Sequence, residues 1–191
     1  MIFKDWKKDL FTIPNMLSVF RLLLIPVYVV IYLQATVPSD YIIAGSILAV
    51  SCLTDLIDGQ IARRYNMIST FGKFLDPLAD KVTQFTLTVC LAINYPILWI
   101  LAGLLFVKEI FQLVAGIVFF RRGKILSGAL MTGKICTTVL FISLIVMVLF
   151  PNIPEIAITW ITIADMAFLL AAFVHYIVVY YKKTPMIEDL E

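Results

Sequence analysis

Six long apolar segments follow one another along the chain, each near the length of a membrane-spanning helix. A helix needs about 20 mostly apolar residues to cross a hydrocarbon core of about 30 Å. Short links that contain proline or polar residues separate the segments, which favours antiparallel neighbours. The pattern therefore predicts an all-α integral membrane protein with six transmembrane helices in one bundle. The predicted helices span residues 13–33, 41–62, 72–94, 97–120, 127–150 and 156–181.

The first twelve residues have a different pattern from the spans. Their apolar side chains fall on one helical face and their lysines lie elsewhere, which is typical of a short helix on a membrane surface. A basic start before an apolar run also resembles a signal peptide, but Arg21 interrupts that run, so an uncleaved helix is expected. The predicted organisation is an amphipathic juxtamembrane helix over 1–12, a six-helix domain over 13–181 and a cytoplasmic tail over 182–191.

Composition supports the membrane class. Hydrophobic residues make up 62% of the 191 residues and charged residues 15%, whereas soluble domains have about 45–50% and about 25%. The net charge of +2 gives no reason to expect a nucleic-acid partner. Basic residues cluster at both ends of the chain and in two alternate links. The positive-inside rule therefore predicts a multi-pass protein of the cell membrane with both termini and these links in the cytoplasm.

Four aspartates stand near the cytoplasmic ends of the second and third predicted helices. Asp55 and Asp58 are three residues apart, and Asp76 and Asp80 are four apart, so each pair shares one helical face. An ionisable residue inside a membrane span usually faces a partner or a polar cavity and marks a functional site. Because the link between the two helices is short, we expect all four carboxylates to converge at one depth, facing the cytoplasm.

Clustered carboxylates need compensating positive charge, since like charges oppose one another's ionisation. Oxygen ligands favour hard divalent cations such as Mg²⁺ or Ca²⁺, with Mn²⁺ as an alternative. Two-metal sites stabilise the attacking and leaving oxygens of a displacement at phosphorus. Gly72 at the start of a helix and the basic residues Arg63, Arg64 and Lys73 suit a phosphate-bearing substrate. The segment therefore predicts a metal-dependent site that acts on a phosphate group.

The segment DLIDGQIARRYNMISTFGKFLDPLAD reads D-x2-D-G-x2-A-R-x8-G-x3-D-x3-D, which resembles the signature of the CDP-alcohol phosphatidyltransferase family. The resemblance implies a homodimeric membrane enzyme that transfers a phosphatidyl group from CDP-diacylglycerol to an alcohol and releases CMP. It implies two Mg²⁺ ions and Asp80 as the catalytic base. Asp80 also lies one turn deeper than Asp76, where it could face an incoming hydroxyl. The metal ligands implied are Asp55, Asp58, Asp76 and Asp80, and the CDP-binding residues are Asp58, Gly59, Ala62, Arg63 and Gly72.

Several short segments bear on the acceptor alcohol. TIPNMLSVFRLLLIP resembles the IPN-x-LT-x-x-R opening of phosphatidylglycerophosphate synthases, whereas CMP-forming cardiolipin synthases share IPN-x-LS and LDPLADK. TGKICTT, which contains Lys134, resembles the GK-x-x-T segment of the first group. Glycerol 3-phosphate is therefore the expected acceptor, and phosphatidylglycerol or another polar alcohol is the alternative. Lys108 and Glu109 occupy the place of an Arg-Glu pair in the first group, and Lys108 could instead pair with Glu109 or Asp165. The basic candidates for an acceptor phosphate are Lys73, Lys81, Lys108, Arg121, Arg122 and Lys134.

A cation transporter is the alternative from another class, because clustered intramembrane carboxylates also line ion paths. A transporter would spread acidic residues through the membrane depth, whereas the four aspartates gather on one side. An inactive scaffold is a third alternative, and the intact signature argues against it.

Overall fold

The computed structural model describes residues 12–64, 72–121, 124–126, 131–182 and 187–189. Six helices account for nearly all of this part of the chain, and they confirm the all-α class. Their bounds lie close to the predicted spans. Outside the described residues lie the first four residues of the predicted span 127–150 and all but the last residue of the predicted surface helix over 1–12. The helices are α1 (Ile13–Gln34), α2 (Pro38–Arg64), α3 (Gly72–Asn94), α4 (Leu98–Arg121), α5 (Met131–Leu149) and α6 (Glu155–Lys182).

Four of these helices, α1, α4, α5 and α6, are long and apolar enough to cross a membrane. Among the described side chains of α2, an apolar stretch covers Pro38–Thr54, and the side chains from residue 55 onward lie outside the described residues. The remainder of α2 and the start of α3 carry the aspartates and basic residues of the signature. Charge concentrated in these two helices therefore explains why they are less apolar than the other four. The chain is a multi-pass membrane protein.

The described residues fall into two compact units. The first is drawn from Met1–Cys90 and Val148–Pro151. In this unit α1 packs against α2, and the rings of Tyr32 and Tyr41 meet edge to face with centroids 5.5 Å apart, an arrangement that contributes about 0.5–1.5 kcal/mol beyond the area buried. Tyr28 on α1 and Leu87 on α3 are among its most deeply buried side chains.

The second unit is drawn from Leu91–Met147 and Asn152–Glu191. Here α4 packs against α6, with the rings of Phe111 and Phe173 edge to face at 5.1 Å. Helices α5 and α6 also meet closely, because a Cβ added at Gly133 would lie only 2.6 Å from the hydroxyl of Tyr176. Glycine at this position therefore allows the two helices to approach each other.

A short antiparallel strand pair lies outside the helices, in the second unit. Strand β1 (Lys124–Leu126) precedes α5, and β2 (Ile187–Asp189) follows α6. In the register of the pair, Lys124 stands opposite Asp189 and Leu126 opposite Ile187. The sequence analysis did not predict these strands, because three residues are too few to show a period of two.

Candidate active site

Helix α3 presents two signature aspartates, one turn apart. Asp76 is half-buried, and the side chain of Asp80 is 50% exposed. Their spacing of four residues places both carboxylates on one face of the helix. Asp80 is thus accessible to a ligand, while Asp76 is more enclosed by the protein.

Helix α1 contributes a polar face to the same site. Asn15, Ser18 and Arg21 recur every three residues and are all buried, at 2%, 0% and 2% exposure. The hydroxyl of Ser18 donates a hydrogen bond to Oδ1 of Asp76. Nη1 of Arg21 donates to Oδ1 of Asp80 at 2.5 Å, which is an ion pair as well as a hydrogen bond. Each described aspartate of the signature is therefore held by a side chain of α1.

Burial explains why polar residues of α1 meet the aspartates. A buried charge without a partner is strongly destabilising, and removing one member of a buried pair typically costs about 3–5 kcal/mol. Arg21 has the partner that its buried charge needs, because it pairs with Asp80, whose side chain is half-exposed. Solvent at Asp80 weakens the pair, so its stabilising free energy falls below that range. The pair therefore orders the site more than it stabilises the fold.

The other half of the signature lies on α2. The backbone of residues 55–64 is helical up to Arg64. The side chains of Asp55, Asp58, Ala62 and Arg63, and any contact at Gly59, lie outside the described residues. The expected convergence of four carboxylates and the expected CDP contacts on α2 accordingly stay predictions. Gly72, expected at the phosphate end of a helix, is buried and is the first residue of α3.

The donor set suits a hard divalent cation. Asp76 and Asp80 offer carboxylate oxygens on one face, and Asp80 is open to a ligand. Within the described residues no group of three or more His, Cys, Asp or Glu side chains gathers, and the two aspartates of α2 belong to the undescribed side chains. Oxygen-only ligands fit Mg²⁺ or Mn²⁺ better than the softer transition metals.

The candidates for binding an acceptor phosphate have different surroundings. Lys81 follows Asp80 on α3 and is exposed, while the side chain of Lys73 lies outside the described residues. In the second unit, Lys108 is 7% exposed and its Nζ lies 2.8 Å from Oε1 of Glu109. This contact is one of the two pairings expected for Lys108. Arg121 at the end of α4 and Lys134 in the first turn of α5 are exposed, and Arg122 lies outside the described residues.

Sequence reasoning missed the role of α1. Arg21 entered only as an interruption of an apolar run and, with Asn15 and Ser18, as part of a resemblance. The signal was present, because three polar residues spaced by three in a membrane helix form one polar stripe. Such a stripe requires a buried polar partner, and α3 carries two carboxylates at matching spacing.

Comparison with known proteins supports the family resemblance of the signature. Residues 11–178 match the family model described as CDP-alcohol phosphatidyltransferase. The chain is 33% identical over 165 residues to the Escherichia coli (strain K12) protein named CDP-diacylglycerol--glycerol-3-phosphate 3-phosphatidyltransferase, which covers 85% of this chain and 87% of that protein. A protein of the same name in Shigella flexneri is 34% identical over 146 residues, covering 75% of this chain and 80% of that protein.

A Drosophila melanogaster protein named "Probable cardiolipin synthase (CMP-forming)" is 37% identical over 116 residues. That match covers 60% of this chain and spans about a third of the fly protein, 35%. With its signature, its helices and the family match along most of its length, the chain belongs to the CDP-alcohol phosphatidyltransferase family. It is a membrane-embedded transferase of phospholipid synthesis.

Proposed function

We propose that this enzyme transfers the phosphatidyl group of CDP-diacylglycerol to a hydroxyl of glycerol 3-phosphate and releases CMP. The observation that carries the proposal is the pair of carboxylates on α3, Asp76 partly buried and Asp80 half-exposed, each held by a polar side chain of α1. The Escherichia coli relative, whose name states this reaction, aligns over most of both chains. This shared extent favours the same substrates.

Asp80 is the proposed general base. Its half-exposed carboxylate accepts the proton of the acceptor hydroxyl as the oxygen attacks the phosphorus that carries the diacylglycerol. A new P–O bond forms to the acceptor, and the P–O bond of the pyrophosphate that leads to CMP breaks. The products are the phosphatidyl ester and CMP, and the proton resides on Asp80 until solvent removes it.

Asp55, Asp58, Asp76 and Asp80 are the proposed ligands for two Mg²⁺ ions. When bound there, Mg²⁺ would supply positive charge that neutralises the phosphates and the leaving oxygen. Ser18 orients Asp76 for this role through its hydrogen bond. We also assign CDP binding to Asp58, Gly59, Ala62, Arg63 and Gly72 by their match to the family signature.

A second acceptor is supported by one observation. Over its aligned part the Drosophila melanogaster protein is 37% identical to this chain, compared with 33% for the Escherichia coli protein. Its name gives cardiolipin synthesis. Phosphatidylglycerol would then replace glycerol 3-phosphate as acceptor, with the same donor and the same release of CMP. Since the aligned part covers only a third of that protein, glycerol 3-phosphate is the favoured acceptor. Family membership favours either transfer reaction over ion transport.

The proposed orientation in the membrane has both termini and the active site on the cytoplasmic side, because the basic residues of the chain concentrate at its ends and in alternate links. Labelling of cysteines introduced at Gln34 and Lys182 tests this orientation, since these residues end α1 and α6 and should react from opposite sides of the membrane.

We further propose that the enzyme is a homodimer. Mass measurement of the protein in nanodiscs tests the dimer.

An acceptor competition tests the proposed reaction. Purified protein in nanodiscs receives CDP-diacylglycerol, Mg²⁺ and one acceptor at a time: glycerol 3-phosphate, phosphatidylglycerol, inositol phosphate or serine. We expect CMP release with glycerol 3-phosphate and a lipid product that carries two phosphates. Release with phosphatidylglycerol alone would replace this assignment by cardiolipin synthesis.

A further inference from the structure

We infer that Arg21 is a positioning residue of the transfer site, which holds the carboxylate of Asp80 from α1 in the orientation that catalysis needs. This inference rests on the proposed function, because it assigns Arg21 a task through the proposed base. The contact between Nη1 of Arg21 and Oδ1 of Asp80, at 2.5 Å, is its starting point.

The two ends of this ion pair differ in burial. The Arg21 side chain is 2% exposed, whereas that of Asp80 is 50% exposed. Surface pairs contribute little to stability, in part because ordering two mobile side chains opposes them. Here the surrounding protein already encloses the guanidinium, so it is the fixed member of the pair. Asp80 is the member that is presented to a ligand.

A second contact, one helical turn away, also joins a polar side chain of α1 to an aspartate of α3. Ser18 bonds Asp76, and it precedes Arg21 by three residues on α1, while Asp76 precedes Asp80 by four on α3. Both spacings correspond to about one helical turn. The two contacts together define how far α1 is shifted along α3. A sliding of one turn, about 5.4 Å, would break both contacts at once.

The chemistry of arginine suits this role better than that of lysine. A guanidinium is planar and presents five N–H donors in a fixed fork, so it orients the plane of a carboxylate. An ammonium would supply the same charge without fixing the plane. Because Arg21 is nearly fully enclosed, direct binding of a substrate phosphate is a poorer explanation for it.

Three variants test the inference through steady-state kinetics with CDP-diacylglycerol and glycerol 3-phosphate. For Arg21→Gln we expect kcat to fall about 100-fold, the typical effect of misplacing a catalytic group, while KM for CDP-diacylglycerol changes less than about 3-fold. For Arg21→Lys, which retains the charge, we expect a fall in kcat of about 10-fold. Tyr28→Phe is the control, since Tyr28 lies on α1 two turns from Arg21, is buried and has no hydroxyl partner within the described residues. It should retain wild-type kcat.

A double-mutant comparison separates positioning from a general structural effect. If Arg21 acts through Asp80, adding Arg21→Gln to Asp80→Asn should lower the residual kcat by less than about 3-fold. Binding of Mn²⁺, followed by electron paramagnetic resonance, should weaken by less than about 10-fold in Arg21→Gln, because the loss of a positive charge beside the site offsets the less fixed orientation of Asp80, which is also a proposed ligand. The fall in kcat would then not result from loss of the metal.

Several results would overturn the inference. Wild-type kcat in Arg21→Lys would show that charge alone suffices, and a raised KM with unchanged kcat would make Arg21 a substrate ligand. A full 100-fold further loss in the Asp80→Asn background would show an action independent of Asp80. If Arg21→Gln does not fold, Arg21→Lys decides, and failure of both to fold would make the residue purely structural. Absence of CMP release by the wild type would instead overturn the proposed function.

Discussion

The hydroxyl of Ser143 on α5 donates a hydrogen bond of 3.0 Å to Oδ1 of Asp165 on α6. Asp165 is 2% exposed, and within the described part of the chain its other oxygen has no hydrogen-bond partner. The contact joins two helices that are both apolar enough to cross a membrane. A buried polar contact of this kind fixes how two such helices face each other.

Ser143→Ala should destabilise the protein by about 1–3 kcal/mol, because it leaves the buried carboxyl of Asp165 without its partner. Unfolding in micelles, followed by circular dichroism, measures the change. Thr159→Ala is a matched control, since within the described residues the hydroxyl of Thr159 bonds only to the carbonyl of Glu155 in its own helix. We expect its effect to stay within about 0.5 kcal/mol.

Asp165→Asn should leave the free energy of unfolding unchanged or raise it. An asparagine can still accept the hydrogen bond from Ser143, and a neutral amide is less costly than a carboxylate in a membrane helix. The same unfolding measurement applies. A loss of more than about 2 kcal/mol would show that the carboxylate has a partner that an amide cannot replace.

Ser18→Ala should raise the Mg²⁺ concentration needed for half-maximal activity by about 10-fold, because a residue that orients a metal ligand typically affects affinity by about 10–100-fold. Ser18 is fully buried and bonds Asp76. Ser18→Thr restores the hydroxyl and should restore the wild-type requirement. Equal Mg²⁺ dependence in Ser18→Ala and wild type would remove Ser18 from the metal site.

Gly133→Ala should destabilise the contact between α5 and α6 by about 1–3 kcal/mol, since the new Cβ would lie 2.6 Å from the hydroxyl of Tyr176. Tyr176→Phe in the same chain removes that oxygen and should restore part of the stability. Gly103→Ala is the control, because no described atom lies within 4 Å of a Cβ at that position. If both glycine variants lose stability equally, the close approach of the helices is not the cause.

The helices and the signature residues could be predicted from the sequence, whereas the side-chain contacts around them could not. Long apolar segments predicted all six helices, because membrane helices require about 20 apolar residues whatever their neighbours. The α1 stripe was missed, because Arg21 was considered as a single interruption of an apolar run and not together with Asn15 and Ser18 on the same helical face. Nor did the sequence select among the partners of Lys108, whose contact with Glu109 depends on side-chain packing. Strands of three residues, as in β1, carry no pattern of their own.

The most direct test of the account is simultaneous measurement of CMP and lipid product by wild type and Asp80→Asn. Both enzymes receive CDP-diacylglycerol and glycerol 3-phosphate, with and without Mg²⁺. We expect the wild type to form the two products in equal amounts only with Mg²⁺, and Asp80→Asn to be slower by about 100- to 10,000-fold, the contribution typical of a general base. Equal rates in the two enzymes, or CMP release without a lipid product, would contradict the account.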